Sequence, residues 1–171
     1  MRFLAILSCR LILIASALLL LTVPARPADL PADQASLKGI TAIRVVVEVL
    51  NPQAVRDGLK QDQLQQDVEH RLQEAGIRVT SSPEEVAWSH LYLFVNTVKH
   101  PSGLYAFNIE LEFKQVVMLE RNPHVRLFST TWSADDKLGF VGAYKLREVR
   151  GAVVDKVDKF INAYLEQNPK Q

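Results

Sequence analysis

Between Tyr105 and Leu119 the sequence alternates with a period of two. Tyr105, Phe107, Ile109, Leu111 and Phe113 are apolar, and Ala106, Asn108, Glu110, Glu112 and Lys114 separate or follow them. Successive side chains of a strand point to opposite faces, so this pattern buries one face and wets the other. The same parity continues through Val117 and Leu119 after Gln115. Strands usually run about five or six residues. One this long belongs in the middle of an antiparallel sheet with a solvated outer face.

The flanking sequence supplies the rest of a layer. Ile43, Val45, Val47 and Val49 alternate into a β-branched strand that ends at Asn51-Pro52. Leu59 to Ala75 is helical, because Leu64, Val68, Leu72 and Ala75 fall on one stripe. Gly76 stops that helix as a left-handed cap. Ile77 to Thr80 reads as a short second strand. Leu91 to Val98 is a third, apolar on both faces and therefore either interior or covered on its second face by a partner. Pro101-Ser102-Gly103 turns it into the long strand, and Arg121-Asn122-Pro123-His124 turns that into a fifth, Val125 to Ser133. Phe128, Thr130 and Trp132 share one parity of the fifth strand. A loop with Gly139 and Gly142 leads to a helix from about Ala143 to Gln167, which Asn168-Pro169 terminates. The expected fold is one α+β domain over residues 39–168. It has a mostly antiparallel sheet of four or five strands, in the order β-α-β-β-β-β-α, with two helices on one face.

The start of the chain has a different character. Arg2 and Arg10 are the only charges before Arg26, Leu11 to Val23 is an apolar run, and Val23-Pro24-Ala25 has small residues at its exit. This is the pattern of a secretory signal peptide over residues 1–25. A retained membrane anchor is the other reading, although a span needs roughly 20 apolar residues. Residues 26–38 read as an extended spacer. The one cysteine, Cys9, precedes most of the apolar run, which is the wrong place for a lipid-anchoring cysteine. Removing residues 1–25 takes away 2 of the 20 basic residues and none of the 19 acidic ones. The remainder is near neutral and gives no electrostatic case for nucleic acid. Export places the protein in the periplasm or outside the cell.

No motif names a reaction. His70, His90, His100 and His124 form no metal-binding spacing, so no metal and no cofactor are expected. Asp135-Asp136 is the one acidic pair in a loop near aromatics, and a small hydrolase would have to use it. Ser129, Thr130 and Thr131 have no base placed beside them. Gly139-Phe140-Val141-Gly142 lacks the spacing of a phosphate loop. The segment from Trp132 to Arg150 is the best binding candidate. It carries Trp132, Phe140 and Tyr144, with Arg147 and Arg150 beyond, and aromatics and arginines dominate interface hot spots. The expectation is that Phe140, Tyr144 and Arg150 meet the partner while Trp132 braces the loop from below.

Two resemblances follow from these residues. The loop TTWSADDKLGFVG and the terminal helix VDKFINAYLEQNP resemble those of a group of uncharacterised exported bacterial proteins. The element order over residues 43–165 is similar to that of the lipopolysaccharide-assembly lipoprotein of the outer membrane, although this chain has no cysteine at the mature start. The signal peptide, the cysteine-free single domain and the absence of a convergent catalytic set imply an exported, non-enzymatic module that binds a protein or other component of the cell envelope. The alternatives are the hydrolase built on Asp135-Asp136, or a carrier holding an apolar ligand between helices and sheet.

Overall fold

β3 (Leu104–Leu119) is sixteen residues long and organises the sheet. The computed structural model describes residues 31–169. The apolar run, Cys9 and the expected processing site lie outside the described residues. In chain order the elements are α1 (Pro31–Ala35), β1 (Val45–Val47), α2 (Pro52–Arg56), α3 (Gln61–Glu74), β2 (His90–Lys99), β3, β4 (Asn122–Ser133), β5 (Lys137–Gly142) and α4 (Val149–Gln167). Short 3₁₀ turns cover Glu84–Val86 and Ala143–Glu148.

β2 pairs antiparallel with one edge of β3 from Lys99 opposite Tyr105 to His90 opposite Lys114. β1 adds parallel to β2, as the strand–helix–strand pattern at the start requires. The other edge of β3 is shared. β5 occupies it beside Leu104–Ile109, and β4 beside Glu112–Leu119. β4 and β5 thus run one after the other along the same neighbour, with a break at Ala134–Asp136.

The odd-numbered residues of β3 face the helices. Tyr105, Ile109, Leu111 and Phe113 are buried there with Leu91 and Leu93 of β2, Leu64, Val68 and Leu72 of α3, and Val153, Val157 and Phe160 of α4. The even-numbered residues look out on a sheet face that no helix among the described residues covers. The result is a single α+β domain with a mostly antiparallel five-stranded sheet and its helices on one side.

Four local expectations change. Ile77–Thr80 makes only one parallel bridge, Val79 to Ile43, because the α3 side chains already occupy the rest of that edge. The two-glycine loop is a strand, β5. Trp132 does not share a face with Phe128 and Thr130. Trp132 pairs with Phe113 and Thr130 with Lys114, so Thr131 is an extra residue that reverses the parity. Finally, residues 31–38 are no spacer. α1 docks there, Leu37 is fully buried, and Asn168 holds the segment by donating from Nδ2 to the Leu37 carbonyl and accepting from the Gly39 amide.

Candidate functional site

The uncovered sheet face has a polar centre and an apolar end. At the centre Tyr92 donates a hydrogen bond to Glu48, and Lys114 lies 4.0 Å above the Tyr92 ring while pairing with Glu112 at 3.0 Å. Asn108 donates to Glu110 at 2.7 Å. The Glu48 contact, helped by partial burial and further carboxylates, pushes the Tyr92 hydroxyl up to about 12. These groups satisfy one another along β3 and across to Tyr92 of β2.

The apolar end is built on β5. Phe140 pairs with Ala106 and Leu138 with Asn108, so both side chains emerge on the uncovered face. Phe140 is 74% exposed and Leu138 73%. Gly142 has the same parity, and a Cβ there would lie 2.7 Å from the Tyr144 ring. The glycine therefore lets Tyr144 lie flat over the strand on that same side, 80% exposed. Across β3, Val98 and Leu104 complete the patch. Val98, Leu104, Ala106 and Phe140 line an open, apolar pit of about 480 Å³ at the β2–β3 turn.

Gly139 points the opposite way. A Cβ there would meet the Phe107 ring at 2.5 Å. Phe107 is buried on the helix side, so this glycine allows β5 to lie close against its neighbour's aromatic ring. The two glycines that suggested a loop are the reason this strand can seat one ring on each face.

The other candidate residues sit elsewhere. Trp132 is 1% exposed and meets Phe160 edge-on at 5.1 Å, below the start of the β4–β5 break. Its Nε1 has no hydrogen-bond partner among the described residues. Arg147 and Arg150 line a groove of about 680 Å³ between α3 and α4, on the helix side of the molecule. Arg150 is bound there by two hydrogen bonds to Asp67, at 2.6 and 2.7 Å, which hold its guanidinium above its usual pKa. Phe140 and Arg150 therefore belong to opposite layers. Of the five residues, the structure brings Phe140 and Tyr144 together on one surface.

The Asp135-Asp136 loop is fastened to α4. Lys159 pairs with the Asp135 carboxylate at 2.8 Å, Lys137 with Asp155 at 3.3 Å, and Lys156 donates to the Asp135 carbonyl. Lys156 is 3% exposed, and burial, with Lys159 adding to it, lowers its pKa. Among the described residues no group of three or more His, Cys, Asp or Glu side chains is placed to hold a metal ion. No helix among them is long and apolar enough to cross a membrane.

The binding candidates drawn from the sequence omit Leu138 and Leu104, and Val98 enters only as part of the second apolar face of its strand. Leu138 carried no signal of its own, because its segment reads as a loop until its pairing with β3 is known. Comparison with models of known protein families and with curated proteins finds no match.

Proposed function

We propose that this protein is an exported, non-enzymatic α+β module that binds a partner in the cell envelope, in an assembly or accessory role, through the uncovered face of its sheet. The observation that carries the reading is the open apolar pit lined by Phe140, Leu104 and Val98, with Leu138 and Tyr144 exposed on the same face of the sheet. Scattered exposed apolar residues are ordinary, whereas a contiguous aromatic and aliphatic patch with a concavity is what a partner's side chain needs. The signal-peptide pattern supports export, and the element order similar to the lipopolysaccharide-assembly lipoprotein points to the same compartment.

The hydrolase reading has less to support it. Asp135 spends its carboxylate and its carbonyl on lysines that position the loop, and no pit of comparable size opens beside it among the described cavities. The carrier reading needs free space between helices and sheet, which Phe113, Trp132 and Phe160 fill by ring-to-ring contact.

The test compares capture of envelope components by immobilised wild type, Phe140→Ala, Val98→Asp and Asp62→Ala proteins. Phe140→Ala and Val98→Asp should lose a species that wild type and Asp62→Ala, altered on the exposed side of α3, both retain. Equal capture by all four would remove the sheet face from the reading.

A further inference from the structure

The sheet has three strand edges, and they are treated differently. The outer edge of β1 is closed by its own helix. Gln65 Nε2 donates to the Val45 carbonyl at 3.0 Å and Gln61 Nε2 to the Val47 carbonyl at 2.9 Å. Upstream, Ile43 exchanges backbone bonds with Arg78 and Thr80. The outer edge of β4 carries Pro123, which has no amide to donate, then Arg126 and the bulge at Thr131, whose carbonyl accepts from Ser36 Oγ at 3.1 Å. Charges, prolines, bulges and covering segments are the means by which proteins stop edges from pairing. β5 has none of these along Leu138–Val141 among the described residues.

The direction of its backbone groups can be derived. Ala143 N–H donates to the Gly103 carbonyl, which makes Gly103 and Ala143 a hydrogen-bonded pair. Such pairs alternate with non-bonded ones along an antiparallel ladder. With Leu104 opposite Gly142, the bonded pairs are Tyr105 with Val141, Phe107 with Gly139 and Ile109 with Lys137. The amides and carbonyls of Leu138 and Phe140 therefore face away from β3, into the open edge.

We infer that β5 is the edge through which two copies of this chain pair, antiparallel and centred on Gly139. That register sets Leu138 opposite Phe140 of the second copy, and Phe140 opposite its Leu138. Both residues have outward backbone groups, so about four ladder hydrogen bonds close across the two-fold axis. Their side chains fall on the same face and form two aromatic–aliphatic cross-strand pairs, a favourable combination. No like charges meet, since Lys137 would lie opposite Val141 and is already paired with Asp155.

The patch is large enough to matter. Phe140 and Tyr144, at their exposures of 74% and 80%, together leave on the order of 250–350 Å² of ring surface in water. Leu138 adds to this, and the total stays below the roughly 600 Å² per partner of a small specific interface, so the pairing relies on the ladder hydrogen bonds as well as on apolar burial. The inference is separate from the envelope partner: the second copy takes the strand edge, while the pit lined by Val98 stays on the face, one in each copy.

Sedimentation equilibrium of the purified protein over a concentration series tests this. Wild type should pass from monomer to dimer mass across the micromolar range. Leu138→Pro removes an outward amide and leaves the ladder to β3 intact, so it should stay monomeric with an unchanged circular dichroism spectrum. Val98→Asp should dimerise like wild type even where it loses the envelope partner. Register is read independently in a Cys9→Ser background. An equimolar mixture of Leu138→Cys and Phe140→Cys chains should form a disulfide-linked dimer joining the two different chains, which neither variant forms as readily alone. Should Leu138→Pro fail to fold, the cross-link alone decides. A wild type that is monomeric throughout, a Leu138→Pro protein that still dimerises, or a mixture that cross-links no better than the single variants would each overturn the proposal.

Discussion

Leu111 and Glu110 are neighbours in sequence and opposites in environment. Leu111 is fully buried beneath the helices, while Glu110 lies on the uncovered face and accepts from Asn108. Leu111→Ala should cost about 2–5 kcal/mol, the range for emptying a packed leucine site. Glu110→Ala should stay within about 0.5 kcal/mol of wild type. Chemical denaturation midpoints check both, and the reverse order would shift the strand by one residue. Two tyrosines give a pH dependence of known sign. The Glu48 contact pushes Tyr92 up to about 12, and burial followed by the Asp57 contact pushes Tyr105 up to about 12. A group that holds its proton more tightly when folded stabilises the protein fully below its unfolded pKa, near ~10 for tyrosine, and loses that contribution as pH rises through the folded value. Stability should therefore fall between pH ~10 and about 12, and Tyr92→Phe should flatten part of that fall in alkaline melts. At this scale the sequence was informative wherever parity decided the environment. It was silent where a tertiary partner decided it. Nothing around Arg150 in sequence discloses that Asp67, on another helix, will bind its guanidinium.

The elements differ in how plainly the sequence announces them. β3 could be read because ten residues of strict alternation, Tyr105 to Lys114, have no competing interpretation. α3 and α4 could be read from their stripes, and Gly76, at φ 77°, takes the left-handed cap expected of it. β5 could not. Two glycines in six residues signal a turn to any local rule, and the reason for them lies outside the strand, in the rings of Phe107 and Tyr144. The bulge at Thr131 was hidden for the same kind of reason, because parity along β4 cannot reveal an extra residue until its partner is known. The glycines yield a paired prediction. Gly139→Ala places a Cβ 2.5 Å from Phe107 and should destabilise by about 1–3 kcal/mol, as overpacking does. Gly151 lies within α4 with nothing within 4 Å of an added Cβ, so Gly151→Ala should stabilise by about 0.5–1 kcal/mol through helix propensity. Thermal melts of the two variants should move in opposite directions. Two shifts of the same sign would mean that the Phe107 contact is not what fixes Gly139.

For the whole molecule, one layer of helices leaves the second face of the sheet to water, and that asymmetry is the basis of the functional reading. Trp132 connects the core to the strand that carries Phe140. It packs on Phe160 in the core, directly before the break that leads to β5. Trp132→Ala should cost about 3–5 kcal/mol and also weaken partner capture, because the strand bearing Phe140 loses its support. Phe140→Ala should weaken capture with little change in melting temperature. The aromatic cluster is legible along the chain, but there it stands next to Arg147 and Arg150, which the fold carries to the groove on the other layer. Spacing along a chain cannot separate the two faces of a domain before the order of the strands is known. The most direct test is site-specific photo-crosslinking in living cells, with a photoreactive phenylalanine at Val98 in the pit or at Asp62 on the exposed side of α3. Our account predicts a covalent adduct of a mass distinct from a dimer of this chain from position 98 and none from position 62. An adduct from position 62 alone, or from neither position, would contradict it.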